Sequence, residues 1–279
     1  MSLPVVDYTA KDAPEQFVKS LKETGFGVLT NHPIQQSLVE SIYHNWQIFF
    51  NSDQKNQFAF DVEKQDGYFS AEISETAKGH SQKDIKEYFH VYPWGRIPKS
   101  LKSEILNYYQ LASDLAGELL DWVEKYSPES IAKGYSEPLS NMIKSTPNTL
   151  LRILHYPPIS GDEEVGAIRA AAHEDINLLT ILPAANEPGL QVQCQDDSWL
   201  DVPSDFGNLI INVGDMLQEA SDGYFPSTTH RVVNPTGESS TKSRISLPLF
   251  LHPRSEVKLS QKHTQASYLL ERLQELGVK

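Results

Sequence analysis

Ala171-Ala172-His173-Glu174-Asp175-Ile176-Asn177-Leu178-Leu179-Thr180-Ile181-Leu182 is the stretch on which the reading of this chain turns. It is apolar and rich in branched residues, the texture of a buried strand. Side chains alternate across a strand, so His173 and Asp175 share one face while Glu174 points away. In isolation the pair reads equally well as a core histidine beside a hydrogen-bonded aspartate. An ionised aspartate in so apolar a strand is costly, however, unless it is paired or bound to a metal.

Working outward, Thr228-Thr229-His230-Arg231-Val232-Val233 reads as a second strand and supplies another imidazole. His173, Asp175 and His230 could then occupy one side of a metal ion and leave its other positions open. That set suits non-haem Fe(II) oxygen chemistry, although the ligands alone also accept Mn, Co, Ni or Zn. Arg244-Ile245-Ser246 opens a third apolar strand, with Arg244 and Ser246 on one face. A guanidinium fork beside a hydroxyl suits a carboxylate. That carboxylate could belong to a ligand or to an internal aspartate.

Composition bounds the rest. A chain of 279 residues can bury a sizeable core, as one large domain or as a domain with an accessory half. No apolar run approaches the roughly 20 residues that span a bilayer. No basic segment followed by an apolar stretch marks a signal peptide at the start. Cys194 is the single cysteine, more plausible as a strand filler than as a nucleophile; an internal disulfide is impossible, which fits a reducing cytoplasm. A formal charge of −13 argues against nucleic acid or an anionic membrane as partner, and leaves room for a locally positive pocket.

The first half reads as mixed helix and strand. Residues 3–7 and Phe26 to Leu29 read as strands, and Ala13 to Lys22 as a helix stopped by Gly25. Gln36 to Phe50 reads as an amphipathic helix with Leu38, Ile42, Trp46 and Phe49 on one stripe. Asp66-Gly67-Tyr68 reads as a turn, and Lys86 to Tyr92 alternates like a strand. Leu101 to Tyr126 is the longest helix, with Ile105, Tyr108, Leu111, Leu115 and Leu119 as its buried face. After about residue 148 the texture becomes short apolar strands separated by turns such as Asn186-Glu187-Pro188-Gly189 and Ser204-Asp205-Phe206-Gly207, which implies a sandwich or barrel. A helix from His263 to Leu276 closes the chain, with Tyr268, Leu269, Leu273 and Leu276 expected to pack back.

In order and spacing these segments resemble one family. Leu3-Pro4-Val5-Val6-Asp7, Thr24 to His32, Leu151-Arg152-Ile153-Leu154-His155-Tyr156-Pro157-Pro158, Gly189-Leu190-Gln191-Val192 and Asn212-Val213-Gly214-Asp215, with the three strands above, are similar to the isopenicillin N synthase-like group of 2-oxoglutarate/Fe(II)-dependent dioxygenases. The resemblance covers nearly the whole chain. It implies a mainly β fold with flanking helices, a double-stranded β-helix (a cupin-like jelly-roll) behind a helical N-terminal region. The implied division is 1–147 packing on the barrel, 148–260 as the oxygenase core, and 261–279 as a C-terminal helix. Ile176 and Leu178 would then face outward from the barrel.

The resemblance also implies chemistry. His173, Asp175 and His230 would hold Fe(II), and O2 would take an open position. The far carboxylate of 2-oxoglutarate would reach Arg244 and Ser246, with Tyr156 as a third donor. The co-substrate would leave as succinate and CO2 while a small-molecule substrate is hydroxylated. Arg169 and Asn177, spaced by even numbers from His173 and Asp175, are candidates for substrate contact. Leu154 stands where many plant relatives carry Asn, which removes one polar contact. Arg-x-Ser also occurs in relatives that do not consume 2-oxoglutarate, so an Fe(II) oxidase is the alternative, followed by a non-catalytic binding module.

Overall fold

Alternation along the strands builds two separate interiors. The computed structural model describes residues 3–71, 84–163, 166–203 and 205–275. In chain order its elements are β1 (Val5–Asp7), α1 (Ala13–Thr24), β2 (Phe26–Thr30), α2 (Gln36–Phe50), β3 (Gly67–Phe69), β4 (Glu87–Val91) and α3 (Lys99–Tyr126). Short helices α4 (Glu129–Ala132) and α5 (Leu139–Met142) lead into β5 (Leu150–Tyr156). Then come β6 (Ala170–His173), β7 (Leu179–Pro183), β8 (Leu190–Gln193), β9 (Trp199–Asp201), β10 (Leu209–Val213) and α6 (Asp215–Ala220). The chain ends with β11 (His230–Val232), β12 (Arg244–Ser246), β13 (Leu249–Phe250) and α7 (Gln265–Glu275).

The larger sheet runs β1-β2-β10-β7-β13-β5-β4-β3, with β12 also paired to β5, and the smaller runs β6-β11-β8-β9. β2 pairs with β10 and β4 with β5, so hydrogen bonding is continuous from the N-terminal half into the later strands. Outward residues of the larger sheet, among them Ile153, Ile181, Ile211 and Ile245, join α1, α2 and α3 in one core. Inward residues, Val28, Leu154, Tyr156, Leu182 and Ile210, meet Ala170, Leu190, Val192 and Val232 of the smaller sheet in a second. Two sheets sharing an inner core, with helices outside one of them, form the expected jelly-roll.

Several expectations need correction. The run 171–182 is two strands, because the chain leaves the sheet between His173 and Leu179. The backbone N–H groups of Gly214, Asp215 and Met216 donate to the carbonyls of Leu178, Asp175 and Asn177, at 3.1, 2.8 and 3.0 Å. Those bonds satisfy carbonyls that a continuous ladder would have used elsewhere. The approach needs Gly214, since a Cβ there would lie 2.2 Å from the Asn177 Oδ1. Leu178 is buried in the helix-side core and Ile176 packs against it, as expected. Gly67 opens β3 rather than centring a turn, and the fully buried Asp66 before it binds Arg96 Nη2 at 2.7 Å. On α3 the buried stripe passes from Tyr108 to Ala112, leaving Leu111 39% exposed. Tyr268 of α7 is buried and Leu269 packs beside it, while Leu276 and Ser204 lie outside the described residues.

Candidate iron and 2-oxoglutarate site

β6 and β11 lie side by side with His173 opposite His230, and the two rings are 4.4 Å apart. Each ring turns Nδ1 toward a backbone carbonyl, Ala171 O at 2.7 Å and Thr228 O at 3.1 Å. A ring nitrogen facing a carbonyl carries the hydrogen, so in the neutral imidazole Nε2 keeps its lone pair. Asp175 reaches the same point from the break after β6. Its Oδ1 lies 3.9 Å from His173 Nε2 and 3.8 Å from His230 Nε2. The three donor atoms all fall within 4.8 Å of one another.

The other carboxylate oxygen is already occupied. Asp175 Oδ2 accepts from Thr180 Oγ1 at 2.5 Å and from Asn212 Nδ2 at 2.8 Å. Thr180 in turn accepts from Asn177 Nδ2 at 2.8 Å. These bonds orient the carboxylate and leave Oδ1 facing the imidazoles, the arrangement that supports a metal ligand from behind. Loss of water, then the neighbouring His230, pushes His173 down to about 4. Burial alone would raise Asp175, but the two imidazoles and its hydrogen bonds outweigh that and hold it below its ordinary value. Near neutral pH His173 is therefore a neutral imidazole and Asp175 a carboxylate, the forms in which these groups bind a divalent metal. The donor set fits Fe(II).

Arg244, Ser246 and Tyr156 are all at most 3% exposed and lie on the inward face. β12 pairs with β5 so that Arg244 stands opposite Tyr156, with its guanidinium 5.1 Å from the ring centroid. Arg244 Nε donates to Glu187 O at 3.0 Å, while Nη1 has no hydrogen-bond partner among the described residues. No carboxylate of the described residues forms an ion pair with it, so the internal salt bridge considered from sequence is not what the structure shows there. Arg169 is fully buried and its guanidinium lies 6.0 Å from the same Tyr156 ring. Asn177 is fully buried and spends its amide nitrogen on Thr180, which in turn donates to Asp175.

Thr180 and Asn212 escaped the sequence reading as site residues. The signal was present: each is a lone polar residue at an inward position of an apolar strand. His252, just beyond β13, was also missed; desolvation lowers it to about 4, and the charge of Asp175 opposes that shift. Further along the inner face, Phe69 lies 4.5 Å from Tyr88 and 4.4 Å from His90, ring to ring. Arg152 sits 4.6 Å over Tyr88. Beside it, Lys86 pairs with Asp84 at 2.6 Å, and Asp84 also accepts from Ala171 N of β6.

Comparison with known proteins agrees with this geometry. The 2OG-Fe(II) oxygenase superfamily profile matches residues 147–253, and the N-terminal profile of non-haem dioxygenases in morphine synthesis matches 3–125. A Shewanella oneidensis protein described as an oxygenase is 64% identical, covers 100% of both chains and superposes with a TM-score of 0.92. A full-length Neurospora crassa protein, solved in complex with alpha-KG, is 21% identical, with coverage of 98% of this chain and 96% of its own and a TM-score of 0.79. Gibberellin 2-beta-dioxygenase of Phaseolus coccineus is 27% identical over 265 residues, 90% of this chain and 76% of the plant protein. A 64% identical full-length relative and two consecutive family profiles, falling on a chain with this donor set, place it in the 2-oxoglutarate/Fe(II) oxygenase superfamily.

Proposed function

We propose that this chain is a dioxygenase in which His173, Asp175 and His230 hold the iron and Arg244, Ser246 and Tyr156 hold the far carboxylate of 2-oxoglutarate. The carrying observation is the pair of Nδ1 anchors at Ala171 and Thr228, which aim both Nε2 atoms at Asp175 Oδ1. When bound, Fe(II) and 2-oxoglutarate would activate O2, the oxidant, with one oxygen atom going to the succinate formed with CO2 and the other to the substrate.

The chain's own residues do the positioning. Thr180 and Asn212 fix the Asp175 carboxylate, and Asn177 acts through Thr180 rather than on substrate. Arg244 offers an unpaired Nη1, and Ser246 adds a hydroxyl on the same inward face. The dry surroundings strengthen a charge-assisted pair with a ligand carboxylate. Val192, opposite His230, and Leu154, opposite Ser246, belong to the apolar inner core that keeps the pocket dry. The primary substrate is a small molecule, entering beside the wall of Phe69, Tyr88 and His90. Residues 148–260 carry the chemistry, 1–147 cover it, and 261–279 close the fold. The lone Cys194 and the net charge of −13 support a reducing, cytoplasmic setting without nucleic acid or membrane partners.

The test is an anaerobic titration of the Fe(II)-loaded protein with 2-oxoglutarate, followed by the visible charge-transfer band of a chelated 2-oxo acid. A saturable band, with succinate formed once O2 and substrate are present, is expected. Iron bound without a band would redirect the reading to an oxidase that draws its electrons from the substrate alone.

A further inference from the structure

Arg169 precedes β6 by one residue and is fully buried. Its Nη2 donates to Lys242 O at 3.0 Å, but Nε and Nη1 have no partner among the described residues. Its guanidinium and that of Arg244 both lie near the Tyr156 ring, at 6.0 and 5.1 Å. Arg244 likewise keeps Nη1 unpaired. The nearby Glu187 does not neutralise them by contact: its carboxylate meets Lys242 Nζ at 3.5 Å, and its backbone carbonyl takes Arg244 Nε. Burial, then the charge of Arg244, lowers Arg169 from its ordinary value.

Two desolvated cations with three idle N–H-bearing nitrogens are costly unless an anion arrives. Position says which anion. Arg169 is four residues before His173, roughly 13 Å along an extended chain at about 3.3 Å per residue, and it turns toward Arg244 and Tyr156. Arg169 thus stands beside Arg244 and Tyr156, the residues proposed to meet the far carboxylate of a metal-chelated dicarboxylic 2-oxo acid, rather than beside His173. That place is not the aromatic side proposed for the primary substrate.

We propose that Arg169 is a second binding group for the far carboxylate of 2-oxoglutarate, which is held between the Arg169 and Arg244 guanidinium groups. The proposal rests on the reading of Arg244 as a co-substrate residue. It makes Arg169 a specificity determinant: the pair selects 2-oxo acids that end in a second carboxylate over those that end in a methyl group.

The experiment measures binding to the Fe(II)-loaded full chain without O2, by titration and by thermal shift, for 2-oxoglutarate and for 2-oxopentanoate, which lacks the far carboxylate. Arg169→Leu should weaken 2-oxoglutarate binding about tenfold or more, the range for a lost charge-assisted hydrogen bond, and change 2-oxopentanoate binding much less. Arg169→Lys should recover part of the loss and serves if Arg169→Leu does not fold. In turnover, KM for 2-oxoglutarate should rise by a larger factor than kcat falls. If Arg244→Leu loses discrimination between the two acids while both Arg169 variants keep it, the present proposal is overturned and the Arg244 reading stands. If Arg244→Leu also keeps full discrimination, the underlying co-substrate reading fails, and this proposal with it. A rise confined to the KM of the primary substrate would also overturn it, by assigning Arg169 to that ligand.

Discussion

The two faces of the larger sheet solve opposite problems with the same strands. On β7, Leu179 and Ile181 point to the helices and Thr180 points inward; on β10, Ile211 and Val213 point out and Asn212 points in. On β12 the outward residue is Ile245 and the inward ones are Arg244 and Ser246. The outer face is dry, apolar and closed by aromatic packing, as where Trp46 meets Phe49 and Phe89 at 5.2 and 5.1 Å. The inner face buries polar groups and leaves some of their hydrogen-bonding capacity idle. An outer face of this kind is selected for stability, while the idle capacity of the inner face has meaning only once a ligand is counted.

The comparison breaks most sharply if the two faces are exchanged as targets. Asp175→Ala should reduce iron content and turnover to background while the melting temperature of the metal-free protein changes little, because the substitution also removes a buried carboxylate. Iron retention by this variant would refute the ligand set. Trp46→Ala on the helix side should do the reverse. It should cost about 3–5 kcal/mol of stability by urea titration, yet the folded fraction should bind Fe(II) as tightly as the parent. Loss of iron affinity in folded Trp46→Ala protein would show that the two interiors are coupled.

This contrast also explains what was legible in sequence. Outer-face residues announce themselves by periodicity, so the Ile42, Trp46 and Phe49 stripe of α2 could be read directly. The pair His173 and Asp175 was legible because charged and polar groups stood out against an apolar run, and the structure brings His230 to it. Leu111 misled because periodicity alone could not choose between it and Ala112, and only the packing of α3 against its neighbours turned the stripe. The break between β6 and β7 was invisible because its cause lies some forty residues downstream, in the N–H groups of 214–216. Thr180 and Asn212 stood out as lone polar residues in apolar strands, but their shared partner Asp175, 5 residues from one and 37 from the other, could not be read from the pattern. Arg169 was seen as a candidate on the metal's face, but its neighbour Arg244 comes from another sheet.

A subtler pair of substitutions sharpens the division within the inner face. Thr180→Val and Asn212→Leu each remove one donor to Asp175 Oδ2 while keeping the volume near that of the parent. Each should weaken Fe(II) affinity by roughly 10–100-fold, the range for groups that orient a metal ligand. Chelator competition would measure it. Because both donors act on one oxygen, the double variant should lose less than the product of the single losses. Strict additivity would mean that each acts on folding rather than on the carboxylate.

The smallest effect expected is a pH dependence of the metal-free protein. Desolvation pushes His252 from 6.5 down to about 4 in the folded state, against the pull of Asp175. A group depressed on folding contributes full stability above its unfolded value and loses it as pH falls toward the folded value. Between about 6.5 and 4 the unfolded chain therefore takes up a proton at this position that the folded chain refuses, and stability should decline across that window. His252→Gln should flatten the decline measured by urea titration at about pH 7, 6 and 5, with His173 left as a second contributor since it is lowered to a similar value. Bound metal should suppress the His173 share, because a liganded imidazole is held neutral. An unchanged slope in His252→Gln would mean that His252 is as open to water in the folded chain as in the unfolded one, and that the dry zone around Asp175 ends before β13.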